Sequence, residues 1–210
     1  MIIISHRGYW IKDSEKNTLI AFERAFSLGY GIEIDIRDFN EDLVISHDIA
    51  TKESLRFDVF LESYKKYRIQ NLLAFNIKSD GLQSKIKQYL YDYKISNYFL
   101  FDMSIPDTLG YLSAGMNTYI RVSKYEVING LYKYAKGIWL DGFKETMVNE
   151  SLIKKVIEDG KKVCIVSSEL HKLNYIKQWE GIKFLESDIL NSSNVILCTD
   201  FPEKASEFFL

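Results

Sequence analysis

The sequence predicts an α/β fold, a (β/α)8 TIM barrel built as a single compact domain over residues 1–210, and three observations lead there. Eight short, apolar, β-branched runs alternate with longer amphipathic ones, the pattern of a parallel sheet with helical crossovers. The runs are apolar throughout, as expected of strands covered on both faces. Reactive side chains gather just after those runs, where a barrel collects its chemistry. Eight strands close such a barrel, although about 250 residues is the more usual length. A doubly wound open sheet is the competing arrangement.

Taken in order, strands are expected at residues 2–5, 31–37, 72–77, 98–101, 118–122, 137–140, 162–166 and 195–198. A short extra strand at 44–46 follows a turn at Glu41-Asp42. Helices are expected at 18–28, 82–93, 107–114, 125–134, 149–159 and 171–179. The first places Leu19, Phe22, Ala25 and Phe26 on one face, with Asn17 or Thr18 as its cap. Gly29 and Gly160 stand where a helix C-terminus needs a left-handed residue.

Composition narrows the function. A chain of 210 residues with 47% hydrophobic and 27% charged residues is neither disordered nor membrane-embedded. A net charge of −2 lacks the basic excess of nucleic-acid binders, so no nucleic-acid partner is expected. Cys164 and Cys198 lie in apolar runs without metal-type spacing and read as buried thiols. The apolar run at residues 2–4 is cut short by His6 and Arg7, which argues against a leader peptide or membrane span. A cytoplasmic location without integral membrane contact is the expectation.

The strand ends carry Ser5-His6-Arg7-Gly8, Glu33 and Asp35, His47-Asp48, Asn76-Ile77-Lys78, Asp102, Asp141, and Ser167-Ser168-Glu169. Glu33 and Asp35 are two apart and share one face of their strand, while Ile32, Ile34 and Ile36 take the other. Two carboxylates facing an interior repel each other and lose hydration. They need a divalent cation, or neighbouring bases such as Arg7, Arg37 or Lys78, to be tolerable there. Carboxylate and water ligands suit Mg²⁺ or Ca²⁺. His6 and His47 flank this pair, and histidine is the side chain that titrates near neutral pH. One can accept a proton from a nucleophile while the other protonates a leaving oxygen. His171 reads as helix start or loop surface.

The letters HRG at 6–8, NT at 17–18, AF at 21–22, A at 25, G at 29, EID at 33–35 and HD at 47–48 resemble the start of glycerophosphodiester phosphodiesterases in both type and spacing. The chain is similar to a short, bacterial branch of the superfamily that also holds the phosphatidylinositol phospholipase C barrels. The likeness is concentrated in the first quarter of the chain and at Asn76–Lys78. The resemblance implies a phosphoric diester hydrolase of lipid metabolism acting on a small phosphodiester. His6 and His47 would be its acid/base pair, Glu33 and Asp35 would bind divalent metal, and Arg7 and Lys78 would contact phosphate oxygens. In the superfamily a substrate hydroxyl often attacks phosphorus to give a cyclic phosphate, which water then opens.

The chain also departs from that pattern. The family's Glu-x-Lys becomes Asn76-Ile77-Lys78, so the third metal ligand would be an amide oxygen, which Ca²⁺ accepts. Asp102 is the alternative carboxylate. The proline before the family's Glu-Asn-Thr is absent, and Ser14-Glu15-Lys16 stands nearby. The stretch 49–68 is too short for a large substrate cap, which implies an open, shallow site that Tyr9, Trp10, Arg121 or Trp139 could line. Two further readings stand beside the hydrolase: a degenerate barrel that binds a phosphorylated ligand, and a lyase that stops at the cyclic phosphate.

Overall fold

The computed structural model describes residues 1–67 and 71–209. The chain divides into two units, Ser5–Thr118 and Met1–Ile4 with Tyr119–Leu210.

In the first unit the end of β1 (Ile2–His6) is followed by α1 (Leu19–Ser27), β2 (Gly31–Phe39), β3 (Asp42–Ile45), β4 (Leu55–Arg56), α2 (Phe57–Lys66), β5 (Leu73–Ile77), α3 (Gln83–Asp92), β6 (Tyr98–Phe101) and α4 (Ile105–Ser113). β2 and β5 run parallel, with Ile32 beside Leu73 and Asp35 beside Asn76. β6 extends this sheet in parallel. β3 folds back antiparallel on β2 through Asn40 and Glu41, both at positive φ, as a two-residue hairpin turn requires. Ile32, Ile34 and Ile36 pack with Phe22, Phe26, Phe57, Phe60 and Phe75 in one core. The Phe22 and Phe60 rings meet edge to face at 5.2 Å. Because alternate residues of a strand point oppositely, burying the isoleucines under the helices turns Glu33 and Asp35 to the other face of β2.

The second unit repeats the pattern with β7 (Tyr119–Val122), β8 (Gly137–Leu140), α5 (Glu150–Glu158), β9 (Lys162–Val166), α6 (Tyr175–Lys183), α7 (Ser187–Leu190), β10 (Val195–Thr199) and α8 (Pro202–Phe209). The four strands are parallel in the order β7-β8-β9-β10. Ile138, Val163, Ile165 and Leu197 pack against Ile153, Val156 and Trp179. The Trp179 Nε1 donates to Ser167 Oγ at 2.8 Å, which satisfies the polar atom of a buried ring. Cys164 and Cys198 are buried free thiols.

Each expected strand forms, with ends shifted by two residues at most, and the expected hairpin strand is β3. Additional elements among the described residues are β4, a two-residue strand paired antiparallel with β3, the helices α2, α7 and α8, and a 3₁₀ turn at Asp13–Glu15. Three expectations need correction. Residues 125–134 form no helix: 125–129 are irregular and 130–134 are turn. β-branched Val127 and Ile128 followed by Asn129-Gly130 disfavour one, the Asn129 side chain takes the Leu131 N–H, and Glu126 is drawn to Arg121 at 2.5 Å. The helix expected from His171 begins at Tyr175, capped by the Asn174 side chain on Ile176 N; residues Ser168–His171 form a 3₁₀ turn. Thr18 is at the N-cap of α1 but its hydroxyl donates to the Glu15 carbonyl, and Asn17 caps nothing. Among the described residues no helix is long and apolar enough to cross a membrane.

Candidate active site

The site lies wholly within the Ser5–Thr118 unit. β1 leaves the sheet through Arg7 and Gly8, at φ +57° and +82°. A Cβ on Gly8 would lie 2.8 Å from the Phe22 ring and 2.9 Å from the Ala21 backbone, so only glycine lets this turn press against α1. The kink aims Arg7 back over β2. Its N–H donates to Glu33 Oε2 at 3.2 Å, and its Nε lies 3.1 Å from Asp35 Oδ2. Just past β5, Lys78 Nζ is 3.3 Å from Asp35 Oδ1 and 3.5 Å from Asp102 Oδ2. His6 Nε2 is 4.0 Å from Glu33 Oε2. Both carboxylates are buried, Glu33 at 1% and Asp35 at 0% exposure.

This arrangement separates the two acids. Asp35 meets two cations and an amide. Glu33 has a backbone N–H and a more distant imidazole. Burial pushes the Glu33 carboxyl up to about 7, and the charge of Asp35 adds to the push; His6, Arg7 and Lys78 pull the other way. Asn76 is level with Asp35 on the neighbouring strand, and its Oδ1 is buried without a hydrogen-bond partner. A buried amide oxygen without a donor is costly unless something else occupies it.

Among the described residues no three His, Cys, Asp or Glu side chains converge to hold a metal ion. With the Asn76 oxygen the set becomes two carboxylates and one amide carbonyl. That oxygen-only group fits a hard divalent cation, whose charge the two acids balance.

His47 follows β3 on a loop, half exposed, with Nδ1 2.9 Å from Asp48 Oδ1. This contact holds the Asp48 carboxyl below its ordinary value. Arg37 braces the loop: its guanidinium donates to the Asp48 carbonyl and, at 3.2 Å, to the Lys78 carbonyl. Arg37 thus joins two strand ends and is not among the groups that meet Asp35. His47 and Arg7 line a cavity of about 600 Å³ between the β1–α1 turn and the β3–β4 loop, in which only Leu19, Ile45 and Leu55 are apolar.

The structure therefore gathers His6, Arg7, Glu33, Asp35, Asn76, Lys78 and Asp102, and puts His47 at the cavity that Arg7 shares. Tyr9, Trp10, Arg121 and Trp139 do not line that cavity. Trp10 is stacked under Lys16 at 4.2 Å. Asp141, Ser167, Ser168 and Glu169 belong to the other unit. There Asp141 Oδ1 and His171 Nε2 share a hydrogen bond at 2.6 Å, so His171 is tied to a buried carboxylate rather than being plain loop surface. Sequence reasoning missed Asn17, whose Nδ2 donates to Asp35 Oδ2 at 2.8 Å. Its only signal was its place in the motif, and helix capping explained it there.

No protein-family model matches the sequence, and no curated protein matches it. Solved structures do. A glycerophosphodiester phosphodiesterase from Agrobacterium tumefaciens superposes with a TM-score of 0.74 at 15% identity, over 99% of this chain and 98% of that one. Another from Parabacteroides distasonis gives 0.73 at 18% identity, over 99% and 96%. A Ca²⁺-dependent phosphatidylinositol-specific phospholipase C from Streptomyces antibioticus gives 0.62 at 9% identity, over 100% and 96%. The chain has the fold of these phosphodiesterases along nearly its whole length.

Proposed function

We propose that the protein is a metal-dependent phosphodiesterase that hydrolyses a glycerophosphodiester or a related small phosphodiester. Residues 1–210 are taken as one (β/α)8 catalytic domain, a reading supported by the full-length likeness to phosphodiesterase structures. The observation that carries it is the buried pair Glu33 and Asp35, met by Arg7, Lys78 and His6, with Arg7 also lining a cavity that His47 shares.

In this reading Arg7 and Lys78 bind the non-bridging phosphate oxygens, Arg through a fork and Lys as a point charge. A hydroxyl, from substrate or water, attacks phosphorus and gives its proton to one of His6 and His47. The other protonates the departing alkoxide as its bond to phosphorus breaks. When the substrate supplies the hydroxyl, the first product is a cyclic phosphate, and water opens it by the reverse proton traffic. Glu33, Asp35 and Asn76 would hold a divalent ion, Mg²⁺ or Ca²⁺, which would supply Lewis-acid stabilisation of phosphoryl charge. Most of the residues that line the cavity are polar or charged, which supports a small polar head group over an acyl chain.

The experiment is hydrolysis of a glycerophosphodiester and of an aryl phosphodiester with Mg²⁺ or Ca²⁺, with and without chelator. Chelation abolishes turnover, and His6→Ala or His47→Ala costs about 10²–10⁴-fold in rate. Full activity in both variants would end the acid/base assignment. Phosphorus NMR of the product separates hydrolysis from release of a cyclic phosphate. A second reading, a barrel that holds a phosphorylated ligand without turnover, is favoured by Asn76 in place of a third acid and by the cations already on Asp35. Tight phosphate-ligand binding without ion binding would select it.

A further inference from the structure

Asn17 touches the centre of the site yet has no part in the chemistry above. It stands at φ +58°, a left-handed conformation that asparagine tolerates better than most residues. Its backbone N–H donates to the Arg7 carbonyl at 2.9 Å, so it secures the turn that aims Arg7. Its side-chain amide donates at 2.8 Å to Asp35 Oδ2, the same oxygen that Arg7 Nε approaches at 3.1 Å.

The turn that holds Asn17 is itself fastened from outside the site. Glu15 Oε2 accepts from Ile11 N at 2.9 Å and from Arg24 Nη1 at 2.8 Å. The same Arg24 nitrogen donates to the Tyr9 carbonyl at 2.6 Å. These contacts bind residues 9–15 to α1, and Asn17 carries that rigidity to Asp35, eighteen residues away in sequence.

We propose that Asn17 is a positioning residue for Asp35: it fixes the carboxylate plane by holding Oδ2, and leaves Oδ1 for Lys78 and for an incoming cation. A neutral amide does this without adding positive charge. Arg7 and Lys78 already bring two positive charges to Asp35. A third cation at position 17 would repel a divalent ion, whereas an amide orients the ligand and leaves its charge in place. The inference rests on the phosphodiesterase reading, but its test does not depend on turnover.

Two substitutions separate side chain from backbone. Asn17→Gly deletes the amide and keeps a left-handed backbone at no steric cost. Asn17→Ala deletes the amide and adds backbone strain. On the full-length protein, Mg²⁺ and Ca²⁺ affinities are read by calorimetry, thermal midpoints by calorimetric scanning, and kcat and KM with a glycerophosphodiester. A crystal structure of Asn17→Gly reads the Asp35 carboxylate directly. Expected are a loss of about 10–100-fold in ion affinity and kcat in both variants, KM moving less than kcat, a midpoint reduced in both because each loses the amide on buried Asp35, and a rotated Asp35 carboxylate. The opposite pattern overturns the proposal: Asn17→Gly with wild-type affinity and kcat, or with Asp35 unmoved in the crystal. The structural readout holds even if the wild-type chain turns nothing over, so failure of the proposed function and failure of this inference are told apart.

Discussion

Replacing Glu33 by glutamine isolates what a buried charge costs this protein. In the folded chain the Glu33 carboxyl is pushed from 4.5 up to about 7, a preference for the neutral form of about 3 kcal/mol. The unfolded chain ionises Glu33 near 4.5 and the folded chain near 7. Between these values the folded state holds a proton that the unfolded state has released, so stability falls as pH rises from about 4.5 to about 7. The contribution is fully present below the lower value and lost above the higher. Glutamine keeps the size, stays neutral throughout and can still accept from the Arg7 N–H. In chelator, Glu33→Gln should match the wild type near pH 4.5 and exceed it at pH 8 by up to about 3 kcal/mol. For a chain of this length that is about 6–12 °C in thermal midpoint. Adding Ca²⁺ at pH 8 should recover the difference in the wild type, because an ion that binds only the folded state stabilises it, and should do little for the variant. Midpoints measured by circular dichroism at pH 5 and pH 8 decide it. Parallel pH profiles for the two proteins would refute the argument, since they would mean that Glu33 carries no folded-state penalty.

Two further substitutions test other parts of the site. Asn76→Glu restores a third carboxylate beside Asp35 and should raise Ca²⁺ affinity by at least tenfold in calorimetry; an unchanged affinity removes residue 76 from the ion's surroundings. Gly8→Ala forces a Cβ to within 2.8 Å of Phe22 at a backbone with φ +82°, and should destabilise the fold by about 2–3 kcal/mol in urea unfolding. A change below about 0.5 kcal/mol would show that the turn relaxes freely.

Much of the architecture is legible along the chain because it is local. Largely apolar runs of four to seven residues name the parallel strands, and the left-handed glycines at 29 and 160, both at positive φ, end their helices. Failures arise where a residue's partner is remote. Val127 and Ile128 fit a helical stripe, but Asn129 and Glu126 have better partners in Leu131 N and Arg121. β4 has two residues and exists only through β3. His171 looks like surface until Asp141, thirty residues earlier, closes on it at 2.6 Å.

The same division runs through the candidate site. The sequence by itself determined which groups are available: the period of two puts Glu33 and Asp35 on one face of β2, and the strand ends supply His6, Arg7, His47, Asn76 and Lys78. Tertiary structure alone decided how their charges are distributed. It seats Arg7, Lys78 and Asn17 on Asp35, leaves Glu33 raised toward neutrality, and leaves the Asn76 oxygen without a donor. The reason is physical. Side-chain direction follows from local backbone geometry, but desolvation and pairing depend on which distant groups arrive within about 3–4 Å, and no periodicity in the chain encodes that.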